Sequence, residues 1–86
     1  MSITNYRIKQ QERLERILIK KFWTRIRATS SGSVFWRKGD YDIEVDEIGL
    51  WLYYSSTTVA GLAWSSLSGY LRGDKLGFPN GKEIEL

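Results

Sequence analysis

The sequence predicts an α+β domain: one long N-terminal amphipathic helix packed on a small antiparallel sheet of three to five strands, with a short second helix near 65–72. Three observations carry this. Apolar residues recur at a spacing of four through the first third of the chain. A Ser/Gly-rich break follows, after which the period changes to two. Beyond that, Ile48 to Leu71 contains no charged residue at all.

The helix is expected over about residues 5–27. Leu14, Leu18, Phe22 and Ile26 form its apolar stripe, widened by Ile8, Ile17 and Ile19. Neither Gly nor Pro interrupts it. Packed on Val45, Leu50 and Leu52, this stripe makes Phe22→Ala an expected loss of about 3 kcal/mol. Residues 29–33, Thr-Ser-Ser-Gly-Ser, read as a linker to a β-rich body over 34–86.

In that body, Asp40, Asp42, Glu44 and Asp46 alternate with Tyr41, Ile43 and Val45, giving a strand with one acidic and one apolar face. Lys38-Gly39-Asp40 reads as a reversal before it. Leu50 to Tyr54 is apolar on both faces and predicts a covered strand. Thr57 to Trp64 pairs back on it, and a short helix from Ser65 or Ser66 ends by Gly73. Phe78-Pro79-Asn80-Gly81-Lys82 is a turn before a last strand from Glu83 to Leu86. The 86 residues make a single domain, 1–86.

Composition excludes more than it identifies. With no Cys and no His, the chain lacks disulfides, thiolate zinc ligands, the commonest general base and the best nucleophile. An enzyme is therefore not expected, and neither is a cofactor. Asp40-x-Asp42-x-Glu44 resembles the opening of a calcium loop, but Val45 stands where that loop needs Gly and Trp51 where it needs Glu. No metal is expected. Residues 48–71 are long enough to cross a bilayer, yet the hydroxyls of Ser55, Ser56, Thr57 and Thr58 at their centre argue for a buried pair of elements instead. No membrane span is expected, and a cytoplasmic setting fits.

Charge is the most informative feature. The net charge is +3. Residues 7–27 hold eight basic residues against Glu12 and Glu15, a net of +6, while the remainder of the chain is at −3. At ~100° per residue, Lys9, Arg13, Arg16, Lys20 and Arg27 fall in one sector of roughly 60°, opposite the apolar stripe, in a row of about 27 Å. Trp23 lies at the border, either stacking on a base or covering the edge of the core.

Such a row suits nucleic acid phosphates, which makes a small regulatory or accessory nucleic-acid-binding module the leading expectation. The alternative is a protein-interaction module, adaptor or inhibitor, docking on an acidic partner. A metal-free ribonuclease of toxin type stands a distant third. The uncharged 48–71 stretch holds more apolar surface than one helix covers, so a homodimer with Trp51 or Trp64 at its contact is also expected.

Overall fold

The computed structural model describes residues 3–86, with side chains from Asn5 onward. It has the expected α+β architecture, with two sheets. Helix α1 spans Ile3–Lys20. Five strands follow: β1 (Thr24–Ala28), β2 (Val34–Lys38), β3 (Tyr41–Val45), β4 (Gly49–Tyr54) and β5 (Thr57–Ala63). They form an antiparallel meander in sequence order. A 3-10 turn (Trp64–Ser66) and α2 (Leu67–Tyr70) lead to a small second sheet of β6 (Leu71–Arg72), β7 (Lys75–Gly77) and β8 (Glu83–Glu85).

The helix ends at Lys20, not near 27, and residues 24–28 form the edge strand β1. The stop is a Schellman closure. The Trp23 amide donates to the Leu18 carbonyl at 2.9 Å and the Phe22 amide to the Ile19 carbonyl at 3.2 Å. Phe22 sits between them in the left-handed region, with φ 69°. Glycine normally holds that position; here Phe22 does, and Leu18 and Trp23, which close the motif, are both buried in the core. Phe22 is consequently thrown outward and is 85% exposed, and Ile26 is also exposed. The predicted four-residue stripe is thus half right: Leu14 and Leu18 are fully buried, and Phe22 and Ile26 are not in the core.

Residues 29–33 are not a linker between helix and body but the loop of the β1–β2 hairpin. The Thr29 amide donates to the Ser33 carbonyl, and the Ser33 amide returns to Thr29 Oγ1 at 3.1 Å. At the β4–β5 turn, Ser55 and Ser56 both take positive φ, 48° and 69°. That is the geometry of a two-residue hairpin turn whose twist matches the strands, and Asn-Gly is its usual sequence.

One face of the five-stranded sheet carries Trp36, Ile43, Val45, Leu50, Leu52 and Leu62, all buried. They form one core with Leu14 and Leu18 of α1 and with Leu67, Leu71, Leu76 and Ile84 of the C-terminal third. Burying each of these aliphatic side chains contributes about 1.5–3 kcal/mol. The acidic residues of β3 alternate away from this core, as the period of two requires. Asp46 closes the β3–β4 turn, its carboxylate accepting from the Ile48 and Gly49 amides.

Candidate nucleic-acid interface

The C-terminal boundary of α1 decides what happens to the basic row. Lys9, Arg16 and Lys20 are exposed on the side of α1 turned away from Leu14 and Leu18. Arg13 is half-buried and leans toward α2, its Nη1 reaching Ser68 Oγ at 3.5 Å, while Gln10 Nε2 donates to the same oxygen at 3.1 Å. From Lys9 to Lys20 the row covers about 16 Å of helix. The ion pairs among the described residues are Lys21–Asp74 and Arg37–Asp42. None of the four cations of the row is in them, so their charge is available to an outside anion.

Two predicted members leave the row. Arg27 lies on β1 rather than on the helix, and its guanidinium stacks on the Phe35 ring, 4.2 Å from the centroid. Trp23 is buried, and its indole N–H donates to the Leu86 oxygen at 2.9 Å. It covers the core and offers no free face to a base. Trp64 is likewise inside the chain, donating to the Asp46 carbonyl at 2.8 Å, so it cannot serve a dimer contact.

Two cations that the sequence reading passed over join the surface. The turn between β6 and β7 docks on the end of α1 through Lys21 Nζ and Asp74 Oδ2, 3.0 Å apart. The Lys21 ammonium holds the Asp74 carboxyl below its ordinary range. Lys20, Lys21, Gly73 and Asp74 line one shallow depression there. Arg72 and Lys75, exposed and directly opposite each other across the β6–β7 pair, bracket the Gly73-Asp74 turn and line a second depression with Lys82 and Glu83. Like charges so placed repel, and Glu85, opposite Lys75 across the β7–β8 pair, offsets part of the cost. Nothing in the local sequence signals this neighbourhood, because residue 20 meets residue 73 only through the tertiary fold.

Asp42 and Glu44 lie elsewhere. On the outer face of the five-stranded sheet two cross-strand rows run edge to edge. One is Arg27, Phe35, Glu44, Trp51 and Gly61; the other is Thr24, Arg37, Asp42, Tyr53 and Thr58. Arg37 binds Asp42 through two parallel bonds of 2.7 and 3.0 Å, which raises the guanidinium further above its usual range. The Tyr53 hydroxyl donates to Glu44 Oε1 at 2.6 Å, and that bond pushes the phenol above its ordinary value. Phe35 and Tyr53 stand 6.3 Å apart over a groove of about 550 Å³.

Cations outside ion pairs therefore gather on the outward side of α1, on the same helix as the exposed Glu12, while Asp74, Glu83 and Glu85 accompany Arg72 and Lys75 on the second sheet and Asp42 and Glu44 are held on the outer face of the first. Such a surface can neutralise phosphates. Among the described residues no helix is long and apolar enough to cross a membrane. Comparison of the chain with protein-family models, with curated proteins and with solved structures finds no match.

Proposed function

We propose that this protein is a non-enzymatic nucleic-acid-binding module that grips phosphates with the outward face of α1 and the β6–β7 hairpin. The observation that carries the reading is the set of exposed cations Lys9, Arg16 and Lys20, none of them in an ion pair, on the side of α1 away from the core. In this reading Arg72 and Lys75, exposed on either side of the Gly73-Asp74 turn that Lys21 holds, are added to it. Contacts of this kind fix position on a phosphate backbone and carry no sequence information. The reading therefore includes weak discrimination between sequences and a steep dependence on salt.

The test is a charge reversal. The variant Lys9→Glu, Arg16→Glu, Lys20→Glu is titrated alongside the parent protein against fluorescein-labelled mixed-sequence DNA and RNA, single- and double-stranded, over a series of salt concentrations. Loss of binding by the variant with its melting temperature unchanged supports the reading. Absence of binding by the parent protein at low salt overturns it. In that case, retention of an acidic protein by the parent and not by the variant would assign the surface to protein docking.

A further inference from the structure

The outer sheet face has features that phosphate binding does not use. Its groove is formed by Tyr53, by the Arg27–Phe35 stack, by the Arg37–Asp42 pair and by Ser56. Arg37, Asp42 and Tyr53 are already oriented by hydrogen bonds. Two of the Arg37 N–H groups are spent on Asp42, leaving others free, and each Asp42 oxygen keeps lone-pair capacity. A donor and an acceptor thus stand side by side in fixed geometry. Two adjacent hydroxyls, each able to donate and accept, complement that arrangement. The Tyr53 ring beside it offers an apolar face to the C–H groups of a saturated ring.

Charge selects among flat ligands. Arg27 and Arg37 are balanced by Asp42 and Glu44 on the same two rows. A nucleic acid strand laid here would bring phosphates toward two carboxylates and gain no net attraction. The turn beside the groove adds a second observation. Ser55 and Ser56 are held at positive φ, where side chains other than Gly or Asn cost about 1 kcal/mol or more each. Ser56 lines the groove from this strained position.

We infer that the groove on the outer sheet face binds a neutral sugar ring of a glycan, seated against Tyr53 and the Arg27–Phe35 stack, with adjacent hydroxyls on Arg37 and Asp42. The site is separate from the helix surface and stands or falls independently of it. Trp51 supplies a reporter. It shares this face with Tyr53, and its indole lies against Gly61, where an added Cβ would come within 3.0 Å of the ring. The other three tryptophans are buried in the core.

The experiment titrates the protein with malto-, cello-, xylo-, manno- and chito-oligosaccharides to millimolar concentration, following tryptophan emission and the heat of binding. Saturable binding of at least one series is expected. Asp42→Asn and Arg37→Lys should each weaken it about tenfold, the loss of one hydrogen bond to a charged group. Both substitutions are at the surface, and near-ultraviolet circular dichroism checks that the fold is kept. The helix triple reversal should leave sugar binding unchanged, which separates this result from the phosphate reading. Absence of binding by all five series overturns the inference, as does binding that survives both substitutions. Stronger quenching of Trp51 by oligothymidylate than by any sugar also overturns it and makes the face a base-stacking platform.

Discussion

The indole N–H of Trp23 donates to the Leu86 oxygen at 2.9 Å, tying the third residue beyond α1 to one 63 positions further along the chain. Lys38 Nζ reaches the same oxygen at 2.8 Å. The buried Trp36 offers a built-in control. It is as buried as Trp23, at 5% exposure each, yet its Nε1 meets no acceptor. Replacement by Phe removes similar volume at both sites but a satisfied donor at one and an unsatisfied donor at the other. Trp23→Phe should therefore destabilise more than Trp36→Phe, by about 1–2 kcal/mol. Urea melts of the two variants check the difference; equal midpoints would contradict the assigned bond.

Phe22 is where the periodicity misleads. By spacing it belongs with Leu14 and Leu18, and the sequence expectation is a loss of about 3 kcal/mol on truncation. In the fold it is 85% exposed at φ 69°. Phe22→Ala should change stability by no more than about 0.5 kcal/mol. Phe22→Gly should raise it by about 1 kcal/mol, because glycine adopts the left-handed region without strain. A thermal melt of the two variants decides between the stripe and the Schellman closure.

What was legible in the chain, and what was not, follows from the range of each signal. The alternation of β3 and the turns around Gly39 and Gly81 are set by neighbouring residues, and these elements form as read. The end of α1 carries no Gly or Pro; it coincides with the burial of Trp23, whose indole is held by Leu86, 63 positions away. With the helix stopped at Lys20, Arg27 moves to a strand. A register shift between Arg25 and Arg27 then sets which face it occupies. The four-cation row on α1 survives this because it depends on helical spacing alone. The Arg72–Lys75 extension and the sheet groove depend on strand register and tertiary docking, which no local pattern encodes.

The requirement for glycine at position 49 is steric. Gly49 begins β4 opposite Ala63, and a Cβ built there would overlap the Leu62 carbonyl oxygen. The obstacle is backbone, which cannot rotate away. Gly49→Ala should force the β4 and β5 ends apart and cost about 1–3 kcal/mol. Hydrogen exchange at the Trp64 amide, which donates to the Ile48 carbonyl beside this contact, should speed up in the variant.

Tyr53 should give the protein an alkaline limit. Its phenol is pushed above the ordinary value of 10.0, chiefly because its proton is held by Glu44 and further because of partial burial. A group whose pKa is raised on folding contributes stability that is complete below the unfolded value and is lost as pH rises through the folded one. Stability should accordingly decline from about pH 10 upward. In Tyr53→Phe that part of the decline should vanish, as measured by urea midpoints along an alkaline pH series. An unchanged slope would mean that the Tyr53–Glu44 bond is not made in solution.

Salt dependence separates the predicted row from the one the fold presents. If phosphates are gripped by α1 and the β6–β7 hairpin, each contact releases close to one counterion, and removing one makes the log–log slope of affinity against salt shallower by about one. Arg16→Ala and Lys20→Ala should each do so, and so should Lys75→Ala. Arg27→Ala should leave the slope unchanged, although a row continued from the helix would count Arg27 as its last member. Its guanidinium is on the sheet face, stacked on Phe35. Trp23→Phe should likewise leave the preference between single strands and duplex untouched, because the indole is buried. A shallower slope for Arg27→Ala would place nucleic acid on the sheet face instead, against Asp42 and Glu44, and would contradict the division of charge that the proposed interface rests on.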